Sequence, residues 1–400
     1  MTSVREPATG SIAAPPAPST RLLRALGAVA LLASAAILTF GLVWWLVPES
    51  NPFATATSES PASALLGPAW FAAAVVATGA VGLVVAIATA APAALARRAP
   101  LIAGAAALCA VAVAFVLGDT GTITLAGYLF GLAAVIAGIV TTAVLVVRAP
   151  RLGVPLLVLL AALIGMAVWS AGLTWAGVTT FLASFGAALA AQGMLILISA
   201  VSVVAVLSWT AIAIVAGRTT RGLRRFEGWL VRHRRALTVL AALGPLPYAV
   251  MRASWLTPWP LFAPARGELD PATLATGLML GSGAVAASIL TLGLILRWGR
   301  VFPSWMPRVG GRPVPARLAV VPGLAAATVI TISAVPIILL TLDADSLDAM
   351  IVFNLVLPMW FWGPMLALAV WAYAAWRRTI DGVDVVAIDD AAGTGTSTAR

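Results

Sequence analysis

Few side chains in this 400-residue chain have the types and spacing that chemistry requires, and they fall into three groups. The first is a charged residue with aromatic neighbours. Arg252 has Tyr248 one helical turn before it and Trp255 one turn after it, a spacing that brings both rings to the guanidinium. Such an arginine either binds an anionic ligand or snorkels towards the membrane surface with its charge satisfied by the rings. The second group sits among helix breakers. Asn354, Trp360 and Trp362 lie around Pro358 and Pro364, where backbone groups freed by broken helices can line a ligand cavity. The third group is basic and aromatic. Arg221, Arg224, Arg225 and Trp229 fall in GRTTRGLRRFEGWLVRHRR (217–235), and Arg300, Trp305 and Arg308 in RWGRVFPSWMPRVGGRPVPAR (297–317); both segments suit anionic lipid headgroups or an acidic cytoplasmic partner.

No catalytic constellation accompanies these residues. Arg252, Arg266, Glu268 and Asp270 mark the one place where a lipid-linked substrate could be processed, yet no carboxylate pair or activated nucleophile is there, so an enzyme is not expected. No metal and no cofactor are expected either. His233 and Cys109 are the sole histidine and cysteine, and Asp343, Asp345 and Asp348 lack the glycine and terminal glutamate of a calcium-binding loop. A single cysteine also rules out an intrachain disulfide. The formal charge of +10 comes from arginines beside apolar runs, where topology and anionic headgroups account for it, so nucleic acid is not an expected partner.

The elements that position these residues are membrane spans. With 62% hydrophobic residues, 10% charged and a mean hydropathy of +1.04, the chain is far more apolar than a soluble domain. Ten runs near the roughly 20 residues needed to cross a bilayer are predicted at 25–47, 69–92, 101–118, 122–147, 153–172, 194–216, 236–255, 273–296, 318–342 and 350–376. The predicted fold is an all-α polytopic bundle within 22–376, flanked by disordered tails at 1–21 and 377–400. Of the 24 arginines, 22 fall in the tails or in alternate gaps, whereas eight of the 14 acids fall in the other gaps; both termini are therefore expected in the cytoplasm. Parity settles the charge-free stretch 152–217. Arginines bound it on both sides, so it holds an even number of spans, and 173–193 becomes an external interfacial or re-entrant segment. No Asp, Glu or His is expected deep in the bilayer, with Asp119 and Arg252 about one turn from the outer surface.

Local patterns refine this picture. Leu223, Phe226, Trp229 and Leu230 recur at helical spacing, which predicts a short amphipathic helix lying on the inner leaflet. Small-residue faces at Gly127, Gly131, Ala134 and Gly138, and at Gly277, Gly281, Ala284 and Ser288, predict packing seams. The run from Trp298 through Pro315, followed by an apolar span, resembles a segment recurring in uncharacterised multi-pass integral membrane proteins of actinobacteria. The resemblance covers about 245–376, implies no activity and carries over no functional residue. The absence of lysine and the abundance of alanine match a high-GC bacterial genome, so the expected location is a bacterial plasma membrane. Two functions follow as expectations: a permease-like or small-ligand-binding protein using the kinked C-terminal helices, or a non-catalytic component docking a cytoplasmic partner or anionic lipid through 217–235 and 297–317.

Overall fold

The computed structural model describes residues 20–54, 60–90, 92–169, 172–263, 270–342 and 347–393. In chain order the helices are α1 (Thr20–Leu46), the short α2 (Pro61–Leu65), α3 (Pro68–Ala90), α4 (Pro92–Leu117), α5 (Thr120–Arg148), α6 (Pro150–Trp169) and α7 (Trp175–Ala191). There follow α8 (Gly193–Gly217), α9 (Arg221–Leu243), α10 (Leu246–Ser254), α11 (Pro271–Leu292), α12 (Ala316–Leu342), α13 (Leu347–Ile351) and α14 (Met359–Gly393). Among the described residues ten helices are long and apolar enough to cross a membrane, in the expected number and order. The chain is an all-α, multi-pass membrane protein. Ten crossings place Arg21 and Arg377 at the same end of the bundle, with the other described arginine clusters; Glu49, Asp119, Asp270 and Asp348 belong to the opposite end.

Helix starts follow local chemistry. Pro68, Pro92, Pro150 and Pro271 each open a helix, where the missing N–H costs nothing. Asp119, Thr174, Thr220 and Asp270 cap helices by accepting backbone N–H groups. Hydrogen bonds from the side chain and backbone of Thr273 hold the Asp270 carboxyl below its ordinary value. Because a lowered value favours the charged form, this cap is intact at neutral pH and is lost only as pH falls through that lowered value.

The structure corrects two expectations. Residues 221–235 are not a separate helix lying on the membrane surface; they are the first turns of α9, which runs unbroken into the seventh span. No breaker separates Arg235 from Ala236, and Leu230, Leu237, Thr238 and Ala241 continue one buried stripe. The second correction is that α1 begins at Thr20 and α14 continues to Gly393, past the expected span end at 376. Residues 1–19 and 394–400 lie outside the described residues, as do Glu59, Arg266, Glu268, Asp343 and Asp345. The helix break expected in the tenth span is present: α13, a π-helical turn at Val352–Val356 and Pro358 precede α14.

Lipid offers no hydrophobic drive between helices, so close approach of small residues sets the packing. One close seam was not singled out by the small-residue faces. A Cβ at Gly79 of α3 would lie 2.5 Å from Leu38 N and 2.7 Å from Leu38 Cα, and one at Gly41 of α1 would lie 2.6 Å from Val76 N. The two backbones therefore touch. The expected face of α11 packs on α10 through Gly277, Gly281 and Ala284, while Gly283, outside that face, approaches Gly131 of α5. Around the α1–α3 seam, α4 and α8 complete one apolar cluster, with Trp209 at 0% exposure and its indole Nε1 without a hydrogen-bond partner among the described residues. A second cluster joins α9, α12 and α14, and a third joins α10 to α11. The outward faces of α4, α5 and α6 are exposed Leu, Ile and Val, as lipid requires. Trp45, Trp70, Trp169, Trp175 and Trp259 are all exposed at span ends on the acid-bearing side, the level amphipathic rings prefer.

The segment 172–192 holds α7. Gly177 abuts Pro271 at the start of α11, and Phe181 and Phe185 pack on Tyr128 with centroids 6.0 and 5.4 Å away. This helix is shorter than a span and covers the acid-bearing ends of α5 and α11.

Candidate functional site

The acid-bearing end holds the first candidate. The break between α9 and α10 at Gly244-Pro245 aims α10 across α11, and Arg252 lies over Gly277 and Gly281. A Cβ on Gly281 would lie 2.7 Å from Arg252 Cβ, and one on Gly277 would lie 3.3 Å from Arg252 Nη1. The two glycines make the trough in which the arginine lies. Its guanidinium carbon is 4.1 Å from the Trp255 ring centroid and 4.9 Å from that of Tyr248, and Arg252 Nε donates to Tyr248 Oη at 2.9 Å. Trp255 is fixed in turn, donating from Nε1 to Leu261 O at 3.1 Å, while Leu261 N donates to Ser254 Oγ. No carboxylate among the described residues pairs with Arg252. A half-buried guanidinium held rigidly, with Nη1 and Nη2 uncommitted among the described residues, is suited to a carboxylate or phosphate.

The structure divides the expected ligand-site residues. Arg252 and Tyr248 are together. Asn354 belongs to the π-helical turn, where its Nδ2 donates to Thr341 Oγ1 and Met350 O, both at 3.0 Å, and its carbonyl accepts from Trp360 Nε1 at 2.9 Å. Trp360 is half exposed at 52%, so this pair fastens the broken tenth span to α12 rather than lining a shared site with Arg252. Trp362 sits on the α9–α10 break; a Cβ on Gly244 would lie 2.7 Å from its Cγ, and its buried Nε1 has no partner among the described residues. The breaks do converge. Tyr248 and Met251 share an apolar cluster with Val352, Val356 and Leu357, and Gly363 abuts Thr331 of α12.

Asp119 lies at the start of α5 and is buried within the protein. It is 2% exposed, and its carboxylate accepts from Thr122 N at 3.1 Å and from Thr122 Oγ1. The Thr122 hydroxyl pairs with Ser199 Oγ of α8 at 2.9 Å, and Ser333 Oγ of α12 donates to the Asp119 carbonyl at 3.0 Å. A helix cap thus doubles as a polar tie between the α4–α5 corner, α8 and α12. Sequence spacing could not show that tie, because Ser199 and Ser333 are far away along the chain.

At the arginine-rich end, the expected docking residues do not form one surface. Arg221 and Arg225 are exposed; Arg224 Nη1 turns back to Arg218 O and Thr219 O at 3.2 and 3.3 Å. Trp229 stacks on Phe226 and lies 4.6 Å from the His233 ring, whose Nδ1 is 2.9 Å from Trp229 O. Residues 300–314 form a compact hairpin, with Phe302 N donating to Arg312 O and Val314 N to Arg300 O, at 2.9 and 2.8 Å. Trp305 is half-buried in this loop, and Arg308 is exposed with φ 64°, a left-handed conformation that glycine adopts more readily. Arg300 reaches another element, its guanidinium lying 5.3 Å from the Trp376 centroid.

Two features of this end were missed. Glu227 Oε1 accepts from Arg218 Nε at 2.8 Å, Trp371 Nε1 at 2.8 Å and Arg378 Nη2 at 3.2 Å, joining α8, α9 and α14. The signal was present, since Glu227 is the one acid among seven arginines in 218–235. Arg234 stacks on Trp376 at 3.9 Å, a contact no sequence pattern announces. No group of three or more metal-ligating side chains converges among the described residues. No protein-family signature, no curated protein and no solved structure matches the chain.

Proposed function

We propose that this multi-pass membrane protein sits in a bacterial plasma membrane and binds a small anion at Arg252 from the outer side, in a permease-like or ligand-receiving role. The observation that carries this reading is the guanidinium held between Trp255 and Tyr248 with no carboxylate among the described residues to neutralise it. An arginine serving topology alone has no need of a glycine trough, a hydroxyl partner and two ring faces. The neighbouring breaks at Gly244-Pro245 and Val352–Val356 supply a place where helices can shift around a bound ligand.

The test is thermal unfolding of the purified protein in detergent with inorganic phosphate, succinate or chloride. A ligand at about 100 times its Kd stabilises by about 2.7 kcal/mol, a clear rise in melting temperature. One of the polyatomic anions should produce that rise in the wild type and not in Arg252→Gln, while Arg252→Lys, which loses the planar fork, responds weakly. A wild type unmoved by all three anions, or an equal rise in Arg252→Gln, overturns the site.

A second reading is favoured by charge: Glu227 is the one described acidic side chain at an end that carries 19 described arginine side chains. That end is then the cytoplasmic face against the anionic inner leaflet, with both termini inside. Single cysteines test the orientation on intact cells. Those replacing the exposed Glu49 and Thr257 should react with an impermeant maleimide, and those replacing the exposed Arg225 and Arg308 should not. The buried Cys109 adds little background. Labelling at 225 from outside would reverse the assignment.

A further inference from the structure

The arginine-rich end contains a place where three elements are brought to one ring. Arg234 of α9 lies 3.9 Å from the Trp376 centroid and Arg300 of the hairpin lies 5.3 Å from it, so two guanidiniums share the indole of α14 within cation–π range. Like charges gathered at one ring repel, and the arrangement is therefore incomplete without an anion. Neither guanidinium donates a hydrogen bond to a described residue, and no described carboxylate pairs with either. Glu227, the described acid at this end, is occupied by Arg218, Arg378 and Trp371.

The frame around these two arginines is rigid. Tyr373 Oη donates to Gly299 O at 3.1 Å, and Arg377 donates to Val314 O from both terminal nitrogens at 3.2 Å, so both ends of the hairpin are tied to α14 just below Trp376. On the other side, Leu230 and Leu237 of α9 are buried against the same helix. Arg300 is exposed, while Arg234 and Trp376 are half-buried, so the pair opens at the rim of the bundle, where a tryptophan marks headgroup depth.

We propose that Arg234 and Arg300, set about Trp376, form a discrete site for the phosphate diester of an anionic phospholipid headgroup. Two planar guanidiniums supply paired N–H donors that match phosphate oxygens, and the indole they share offers an apolar surface to acyl chain and glycerol. The proposal rests on the arginine-rich end facing the inner leaflet, and it narrows that general attraction to one bound lipid with defined contacts. Arg221, Arg225 and Arg308 contribute only to the diffuse field.

The experiment is native mass spectrometry of the full chain in detergent, titrated with phosphatidylglycerol and separately with phosphatidylcholine. The wild type should retain one phosphatidylglycerol in preference to phosphatidylcholine. Arg234→Gln/Arg300→Gln should weaken that retention at least tenfold, whereas Arg148→Gln/Arg151→Gln, which removes equal charge from exposed positions at the same end, should leave it unchanged. Arg300→Gln alone, on the exposed face of the hairpin, should give an intermediate loss and guards against misfolding of the double variant. Retention lost equally in both double variants, or no preference for phosphatidylglycerol in the wild type, overturns the site. Displacement of the lipid by millimolar glycerol 3-phosphate or inorganic phosphate would assign the site to a soluble phosphate and overturn the lipid assignment. The cysteine labelling above reports separately on orientation: outside labelling at 225 defeats the premise, whereas an unaltered double variant with correct labelling defeats the site alone.

Discussion

Replacing Gly79 with leucine will abolish the monodisperse folded protein, while the same replacement at Gly104 will leave it unchanged. At Gly79 even the first added carbon meets Leu38 backbone atoms at 2.5 and 2.7 Å, and a backbone inside a helix cannot rotate away as a side-chain end can. The α1–α3 pair has to separate along a seam that also includes Gly41 against Val76 and Gly82 against Ser34. Overpacking a close-packed interior typically costs about 1–3 kcal/mol, and a clash with backbone puts this case at about 3 kcal/mol or more. Gly104 has nothing within 4 Å of its added carbon and faces lipid, where leucine is at home. Size-exclusion profiles and melting temperatures of fluorescent-protein fusions in detergent report the difference. A Gly79→Leu profile that matches the wild type would show that the two helices do not meet here.

The second large effect is expected at Glu227. Its Oε1 serves three donors, two from α14 and one from the α8–α9 corner, and its side chain is 17% exposed. Glu227→Ala leaves Trp371 Nε1 unpartnered and Arg218 and Arg378 near each other without a counter-charge. Breaking a fully buried pair costs about 3–5 kcal/mol, but these arginines keep 30% and 47% of their surface in solvent, so screening reduces the figure to about 2 kcal/mol. That is a drop of several degrees in melting temperature for a chain of this size. Glu227→Gln can still accept from Trp371 and should fall between wild type and alanine. An alanine variant that melts within a degree of the wild type would mean the hub is incidental.

How much of this was legible beforehand depended on whether the deciding contacts were local. Apolar run length and arginine alternation located ten spans because both are written along the chain, and parity divided the charge-free stretch 152–217 without any structural information. Helical spacing also brought Tyr248, Arg252 and Trp255 together, since all three lie on one helical face. The same local logic misread 221–235 as a surface helix, because an amphipathic pattern looks alike whether the helix lies flat or continues into a span. Asn354, Trp360 and Trp362 were grouped by nearness in sequence, yet the π-helical turn and Pro358 send them to different neighbours. The remaining contacts were out of reach for one reason: Glu227 with Trp371, Arg234 with Trp376, Asp119 with Ser333 and Gly79 with Leu38 each join different helices, and a composition rule assigns no partner across such distances.

Trp209 gives the molecule a built-in optical gauge. An indole at 0% exposure whose Nε1 touches neither solvent nor a hydrogen-bond acceptor emits at the short-wavelength edge of tryptophan fluorescence. Its ring hydrogen exchanges with deuterium only when the surrounding helices open. Of the 15 tryptophans, many lie at the bilayer surface, and Trp362, whose Nε1 is likewise buried, is removed by Trp362→Phe so that the Trp209 component stands apart from the rest. Following that component during heating separates opening of the α1–α3–α4–α8 cluster from loosening of the C-terminal helices, with no label added to the chain.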